Sequence, residues 1–177
     1  MKSVNMLIAG FGGQGVLFSG KVAAYAGLLE GREVSWLPSY GPEMRGGTAS
    51  CSICIADEDI GSPQVNNPEI LIAMNLPSYH KYINECVAGG VAIIDSSLIS
   101  ETTERTDIKV FSIPSTQLAE DNGLKGLSNI ILLGKALKET GFADYESVKN
   151  AIQKSVPAKK AHMLENNLKA LELGFGY

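Results

Sequence analysis

The stretch that decides the fold reads Gly10-Phe11-Gly12-Gly13-Gln14-Gly15. It follows an apolar run over residues 4–9 and precedes a long segment with helical spacing. A strand, a glycine-rich turn and a helix start in this order place backbone N–H groups where they can face an anion. Three of these glycines match the G-x-G-x-x-G spacing of dinucleotide-binding folds, and the additional glycine makes the turn more open. We call residues 10–15 the first glycine loop.

A dinucleotide site of the Rossmann type needs a carboxylate about 20 residues beyond the glycines, at the carboxyl end of the second strand. That end reads Leu37-Pro38-Ser39-Tyr40 and has no acid. Glu33 stands at the wrong end of the strand, and Glu43 lies too far into the next loop. A standard NAD site is therefore not expected. The simpler alternative is that the glycines only permit close packing of strand and helix.

Apolar periodicity and turn residues divide the rest of the chain into alternating strands and helices. The predicted strands cover residues 3–9, 33–38, 48–56, 69–74, 91–95 and 109–113. The predicted helices cover residues 14–29, 77–88, 115–120, 128–140, 145–156 and 157–173, with a tail over 174–177. Strands alternate with helices through the first two thirds, and helices fill the last third. This order predicts an α/β protein with a central sheet covered on both faces.

The strand over residues 48–56 alternates apolar and polar side chains, which indicates a strand that is covered on one face only. Fully buried parallel strands do not usually alternate in this way, so the sheet is predicted to be mixed. We expect one domain over residues 1–177. It should be a three-layer α/β/α sandwich with a mixed, mostly parallel central sheet and a helical C-terminal third.

Composition excludes several classes of function. The chain has 177 residues, of which 45% are hydrophobic and 19% charged, with a net charge of −4. The negative charge argues against binding to nucleic acid or to an anionic membrane surface. The apolar runs are too short to span a bilayer, and the N-terminus lacks a signal-peptide layout. Three cysteines do not make a disulfide framework, so we expect a cytoplasmic protein in a reducing compartment.

A second segment with unusual residues follows the second strand. We call residues 40–47 the second glycine loop; it contains Tyr40, Gly41, Pro42, Glu43, Met44, Arg45, Gly46 and Gly47. Loops after the first and second strands of an α/β sheet are expected to emerge together at its carboxyl edge, where ligands and partners bind. Arg45 can pair with an anion or, in the simpler alternative, with Glu43 inside a surface turn. The glycines favour a site or an interface, because they let another group approach the backbone closely.

Cys51 and Cys54 spell C-x-x-C, but residues three apart in a strand point to opposite faces and cannot share a metal ion. Cys86 stands alone, so all three are expected to be small buried side chains. His80 and His162 lie on separate predicted helices without a ligand pattern, so surface or packing roles are expected.

A few other polar side chains leave two roles open. Asp95 ends a strand and can touch a ligand or cap the next turn. Asn129 can cap its helix or point into the cleft at the carboxyl edge. The tyrosines Tyr40, Tyr79 and Tyr82 can line an interface or be half-buried.

Three motifs of self-sufficient enzymes do not occur in the sequence. No G-D-G with a paired-asparagine segment is present for thiamine diphosphate and Mg²⁺, and no four-cysteine run for an iron–sulfur cluster. No Ser/His/Asp or Cys/His arrangement is evident for nucleophilic catalysis. The chain has a sheet edge suited to a ligand but no catalytic set of its own.

The two glycine loops together, followed by a strand with Ser50 and Cys51, resemble the gamma subunit of 2-oxoacid:ferredoxin oxidoreductases. The resemblance covers essentially the whole chain and is strongest to the 2-oxoglutarate branch. The same module occurs as an internal domain of single-chain pyruvate:ferredoxin oxidoreductases. The resemblance implies an accessory subunit of a complex that converts a 2-oxoacid and coenzyme A to an acyl-CoA, CO₂ and reduced ferredoxin.

In that family, thiamine diphosphate, Mg²⁺ and the iron–sulfur clusters belong mainly to other subunits, so none is expected on this chain. The implied partners are the alpha and beta subunits, a ferredoxin-like delta subunit in some complexes, and ferredoxin as electron acceptor. The isolated chain is expected to be inactive and able to form a homodimer through surface meant for its partners.

The resemblance also implies roles for the two glycine loops. The two loops are expected to face the alpha and beta subunits, where Arg45 and the amides of the first glycine loop help to hold a CoA phosphate or a substrate carboxylate. Two alternatives are the beta subunit of indolepyruvate oxidoreductase, which shares the first glycine loop, and a stand-alone nucleotide-binding module that uses it.

Overall fold

The computed structural model describes residues 3–42 and 47–177. Within these residues, six strands and six α-helices follow one another in the order that the periodicity predicts. The strands are β1 (Val4–Phe11), β2 (Glu33–Tyr40), β3 (Thr48–Ala56), β4 (Ile70–Ala73), β5 (Val91–Asp95) and β6 (Lys109–Ile113). The helices are α1 (Val16–Leu29), α2 (Leu76–Tyr82), α3 (Ser115–Asp121), α4 (Ser128–Thr140), α5 (Tyr145–Ser155) and α6 (His162–Gly176). Short 3₁₀ turns over Ile83–Glu85 and Ala158–Lys160 follow α2 and precede α6.

All six strands form one sheet in the order β2-β3-β1-β4-β5-β6. Strands β1, β4, β5 and β6 pair in parallel, whereas β3 is antiparallel to both of its neighbours, β1 and β2. Because β3 runs against both, β1 and β2 point the same way and end at the same edge of the sheet. The sheet is therefore mixed and mostly parallel, as the alternation in β3 predicts.

The two faces of the sheet are covered unequally. Helices α1, α3, α4, α5 and α6 bury their apolar side chains in one large core, which includes Ile53 of β3 and Ile72 of β4. The other face holds a smaller core in which α2 and the loops around Val65, Ile99 and Ile108 cover the sheet. The α/β sandwich is confirmed, with most of its helices on one face.

One detail of the sequence interpretation is wrong: β3 is covered on both faces. Ser52 and Cys54, on the face expected to be open, are buried, because the loop before β4 folds over them. The backbone N–H of Val65 donates a hydrogen bond of 3.2 Å to the Ser52 hydroxyl. A hydroxyl with a partner can be buried at little cost, so a polar residue in a strand does not by itself indicate exposure.

Several element ends also differ from the predictions. The first helix begins at Val16 rather than at residue 14, because Gln14 and Gly15 belong to the turn. Strand β2 continues to Tyr40, beyond Pro38, and the helix expected over 77–88 ends at Tyr82. The last helix starts five residues later than expected, at His162, and the predicted tail is helical as far as Gly176.

Candidate functional site

The first glycine loop connects the end of β1 to the start of α1 at the carboxyl edge of the sheet. Gly13 and Gly15 have φ values of 97° and 75°, in the left-handed region that side chains other than glycine rarely adopt. Gly13 is exposed, and a Cβ atom there would meet nothing within 4 Å. The turn at Gly13 is therefore open to a ligand or a partner.

The side-chain amide of Gln14 folds back and holds the first glycine loop by hydrogen bonds. Its Oε1 accepts hydrogen bonds from the backbone N–H of Phe11, at 2.7 Å, and from Nδ2 of Asn75, at 3.2 Å. Its Nε2 donates to the carbonyl oxygen of Met74 at 3.1 Å. A Cβ atom on Gly10 would lie 2.6 Å from this Oε1, so only glycine leaves room for the amide. Gln14 thus ties the loop after β1 to the residues that follow β4.

A second buried amide supports the loop from the other side. Asn129, in the first turn of α4, donates from Nδ2 to the carbonyl oxygen of Gly15 at 3.0 Å. Only 3% of Asn129 is exposed, and its Oδ1 has no hydrogen-bond partner among the described residues. The sequence left two roles open for Asn129, a helix cap or a contact at the carboxyl edge, and the structure shows the second.

The N-terminus of α1 opens onto this loop. Among the residues that the structure describes, no side chain caps it, and its first turn contains no acid. The first N–H groups of a helix lack intrahelical acceptors, and the helix dipole makes this end positive. The arrangement therefore favours a negatively charged group.

The first glycine loop touches the described end of the second one. The backbone N–H of Gly12 donates a hydrogen bond of 2.8 Å to the carbonyl oxygen of Gly47. On the other side of the second loop, the N–H of Gly41 donates to the carbonyl oxygen of Thr48 at 2.8 Å. The structure therefore brings together the two segments that the sequence singled out. The predictions for Glu43, Met44, Arg45 and Gly46 concern residues outside the described part of the chain.

A cavity of about 230 Å³ lies beside the second glycine loop, between the ends of β2 and β3 and helix α2. Tyr40, Gly41 and Thr48 line one side, and Lys81 and Tyr82 of α2 line the other. An open groove of about 790 Å³ continues from it across the face of β2 and β3. The ammonium group of Lys81 lies 5.0 Å from the centre of the Tyr82 ring and adds a positive charge at this border.

The cysteines do not form a site. Cys51 lies in the large core and Cys54 in the smaller one, so they face opposite sides of the sheet, as the strand period predicts. All three cysteines are buried and unpaired. Burial raises the pKa of Cys51 to about 12 and that of Cys86 to about 11, so both are protonated and unreactive. Their separation does not fit the four clustered thiolates of an iron–sulfur centre.

The remaining titratable candidates have local partners. The carboxylate of Asp95 is completely buried and accepts hydrogen bonds from the backbone N–H of Ser97, at 3.0 Å, and from the hydroxyl of Thr116, at 2.5 Å. It therefore caps the turn after β5. His80 is exposed and pairs with Glu101 at 2.6 Å, and His162 is exposed at the start of α6. Residues 3–42 and 47–177 contain no group of three or more His, Cys, Asp or Glu that could hold a metal ion.

Sequence reasoning missed two residues of this edge. Asn75 was treated only as part of the chain between β4 and α2, yet it caps α2 through the Ser78 N–H and contacts Gln14. Lys81 was not singled out, although it borders the cavity beside the second loop. Asn75 lies two residues after β4, the strand that neighbours β1, and that position is the signal that could have identified it. Lys81 lies further on, in helix α2.

No helix in the described part of the chain is both long enough and apolar enough to cross a membrane.

Comparisons with known proteins agree on one family. The model of the pyruvate ferredoxin/flavodoxin oxidoreductase family matches residues 5–177. The ketoisovalerate oxidoreductase subunit VorA of Methanothermobacter thermautotrophicus is 40% identical over 173 residues, which are 97% of this chain and 35% of that one. The 2-oxoglutarate synthase subunit KorC of Methanocaldococcus jannaschii is 35% identical over 171 residues, 95% of this chain and 90% of that one.

A solved structure has the same fold. The gamma subunit of a keto/oxoacid ferredoxin oxidoreductase from Geobacter sulfurreducens superposes with a TM-score of 0.84 at 26% identity, over 98% of this chain and 96% of that one. The chain spans about a third of the length of the VorA relatives that it matches.

Proposed function

The chain belongs to the pyruvate ferredoxin/flavodoxin oxidoreductase family, and we propose that it is the gamma-type subunit of a 2-oxoacid:ferredoxin oxidoreductase. The complex would oxidatively decarboxylate a 2-oxoacid with coenzyme A and pass the electrons to ferredoxin in the cytoplasm. The observation that supports this proposal most directly is the similarity to KorC, which extends over 90% of that subunit.

The proposed substrate is 2-oxoglutarate, because the KorC relatives are named as subunits of 2-oxoglutarate synthase. A branched 2-oxoacid, ketoisovalerate, is the second candidate, because VorA of M. thermautotrophicus is more similar, at 40% against 35% identity. A comparison of kcat/KM for the two acids, measured on the assembled complex, separates these candidates.

Thiamine diphosphate, Mg²⁺ and the iron–sulfur clusters are proposed to lie on partner chains. The described residues argue for this placement, since their cysteines are divided between two cores and their acids and histidines form no metal-binding group. In the proposed complex, alpha and beta subunits, with a ferredoxin-like delta subunit where one is present, supply these groups. This chain then contributes binding surface rather than redox chemistry.

Within that complex, we propose that the two glycine loops bind an anionic group, a CoA phosphate or the distal carboxylate of the 2-oxoacid. The uncapped N-terminus of α1 and the open turn at Gly13 support this role. The residues assigned to it are those of the first loop (Gly10, Gly12, Gly13, Gln14 and Gly15) and those of the second (Tyr40, Gly41, Pro42, Glu43, Arg45, Gly46 and Gly47). The Arg45 guanidinium is proposed to complete the site by a charge-assisted contact.

The subunit assignment is tested by native mass spectrometry of the tagged chain purified from its own host. We expect co-purifying chains that carry a thiamine diphosphate motif and clustered cysteines, and 2-oxoacid-dependent reduction of ferredoxin by the complex but not by the isolated chain. A monomer or homodimer with a tightly bound nucleotide would instead support the nucleotide-binding alternative.

The anion role is tested with the complex and the variant Gly13→Asp. A carboxylate at this exposed position repels an anion without filling packed space, so KM for CoA or for the 2-oxoacid should rise. Gly31→Asp is the matched control, because Gly31 follows the other end of α1 with a φ of 74° and equally open surroundings. Arg45→Ala should raise the same KM. Unchanged KM values for both substrates in Gly13→Asp and Arg45→Ala would contradict the role.

A further inference from the structure

Exposed apolar side chains are concentrated on one side of the molecule. In the described part of the chain, seven large apolar side chains are exposed, and five of them lie on the end of α1 or on β2. We call the surface formed by Tyr25, Leu28, Leu29, Trp36, Leu37 and Tyr40 the edge surface. It wraps around β2, because Tyr25, Leu28 and Trp36 line a hollow on the α1 side of the strand, whereas Leu37 and Tyr40 line cavities on the α2 side. Clusters of exposed apolar side chains of this kind mark interaction sites in soluble proteins.

The edge surface also contains a hollow that a side chain can fill. A cavity of about 300 Å³ lies between α1 and β2, lined by Lys21, Ala24, Tyr25, Leu28, Val34 and Trp36. Of its described lining residues, Lys21 alone is charged, and its ammonium nitrogen lies 5.9 Å from the Tyr25 ring centre. A bulky apolar side chain of a partner fits this hollow, in the way that interface anchors fit pockets.

Strand β2 has few of the features that protect a free sheet edge. Edge strands commonly carry charges that prevent association; in β2 the first residue, Glu33, is charged, and residues 34–42 contain no charged side chain. The other protective feature in the strand is Pro38. The N–H of Gly41 points towards β3, and since N–H groups alternate along a strand, the nitrogen of Pro38 faces outward without a hydrogen to donate.

This backbone pattern determines how a partner can bind. A strand added to β2 would lose a hydrogen bond in the middle of the ladder, so extension of the sheet by β2 of a second copy is disfavoured. The exposed side chains remain available. A partner should therefore contact the edge surface through apolar side chains rather than through a continuous ladder.

The longer relatives indicate which protein contacts the edge surface. In VorA, the region similar to this chain makes up about a third of the polypeptide, so roughly twice its length of other protein is attached to it. The edge surface is also continuous with the candidate site, since Tyr40 and Gly41 line the cavity beside the second glycine loop. A body that covers that site can wrap over the free edge of β2 to reach Trp36 and Leu28.

We infer that the edge surface is the docking face for the part of the oxidoreductase that corresponds to the remaining two thirds of VorA. This inference rests on the proposed function and adds to it the face through which the complex is held together. The exposed indole of Trp36 and the side chain of Leu28 become buried in that contact.

The test uses the full chain co-expressed with the protein that aligns with the rest of VorA. Leu28→Lys places a charge in the contact and should weaken binding at least about tenfold. Leu98→Lys is the matched control, because Leu98 is similarly exposed, at 46% against 57% for Leu28, but lies outside the edge surface. The control should bind like the unmodified chain, and both variants should retain the unfolding temperature of the isolated chain.

The only tryptophan of the chain provides a second measurement. With 5-fluorotryptophan in this chain alone, the ¹⁹F NMR spectrum reports Trp36, and complex formation should shift its resonance and protect it from an added paramagnetic quencher. If the complex forms but the Trp36 signal stays accessible and Leu28→Lys binds normally, the inference is wrong and the proposed function stands. If no complex forms with the unmodified chain, both the inference and the proposed function fail. If Leu28→Lys abolishes only a homodimer of this chain and leaves the complex intact, the surface serves self-association, and the inference is also overturned.

Discussion

The backbone N–H of Gly12 donates a hydrogen bond of 2.8 Å to the carbonyl oxygen of Gly47 and so joins the two glycine loops at the carboxyl edge of the sheet. This contact is possible because β3 begins immediately after Gly47 and pairs with β1 along its length. Two loops separated by 24 residues of sequence thereby form one surface. The amides of Gln14, Asn75 and Asn129 support that surface from within the fold.

The contact between Gly15 and Asn129 predicts that Gly15→Ala destabilises the protein. The substitution adds the cost of a left-handed alanine, about 1–2 kcal/mol, and an overlap with the Asn129 amide. Gly31→Ala shares the backbone cost, with a φ of 74° against 75°, but has open surroundings. Urea unfolding should show a larger loss for Gly15→Ala than for Gly31→Ala. Equal losses would mean that Asn129 moves aside without cost.

The Gln14 amide predicts a second effect on the first glycine loop. Gln14→Met keeps the size of the side chain but removes three hydrogen bonds, and should cost about 1–3 kcal/mol of unfolding free energy. Hydrogen exchange of the Phe11 amide should accelerate, since its acceptor is lost. Gln117→Met is the control: Gln117 is exposed, and within the described part of the chain its side chain bonds only Asp121, so the loss of unfolding free energy should stay within about 0.5 kcal/mol. A protected Phe11 amide in Gln14→Met would contradict the prediction.

The crossing of α4 and α6 depends on two glycines. Gly134 and Gly174 bring the helices so close that a Cβ atom on either would overlap a backbone carbonyl of the other helix, that of Leu171 or Ile131. Gly174→Ala should therefore destabilise by roughly 2 kcal/mol or more, through overpacking. Gly176→Ala, in the same helix with nothing within 4 Å, should be neutral or slightly stabilising. Thermal unfolding of the two variants distinguishes packing from helix propensity. A lower unfolding temperature for Gly174→Ala than for Gly176→Ala indicates overpacking, and equal unfolding temperatures would contradict it.

Burial of the cysteines predicts low thiol reactivity in the folded chain. Because burial holds the pKa of Cys51 near 12 and that of Cys86 near 11, almost no thiolate forms at pH 8. Ellman's reagent should therefore react with no thiol in the native protein at pH 8 and with three after unfolding. The folded state keeps these protons more tightly than the unfolded chain, so stability should fall as the pH rises above the ordinary thiol pKa. A thiol that reacts rapidly in the native protein would show that its site opens.

Most element cores could be predicted from periodicity, and the errors have identifiable tertiary causes. Strand β3 and helix α4 have the predicted bounds, because turn residues and glycines delimit them. The helix after β4 ends early, at Tyr82, where the guanidinium of Arg105 donates to the carbonyl oxygens of Ile83 and Cys86. The C-terminal helix runs past the predicted end because Gly174 packs on α4. Neither partner is close in sequence, so no local pattern could indicate these ends.

The candidate site was predictable in its loops but not in its supports. The glycine-rich segments stand out because few other functions require so many glycines, and their common edge follows from parallel strands. Asn75 and Lys81 do not stand out by residue type, since an isolated asparagine or lysine occurs in most surface segments, and only the position of Asn75 just after β4 points to this edge. Their roles depend on distances that only the folded chain defines.

By itself, the sequence determined which segments are strands and helices, that the sheet is mixed, and where the backbone must be free of side chains. These properties depend on local spacing and on the conformational freedom of glycine. The tertiary structure decided that β3 lies between β1 and β2, and that amides 61 and 114 residues away from their partners support the first glycine loop. Strand order and buried hydrogen bonds are set by global packing, because each buried polar group must find a partner wherever the chain places one.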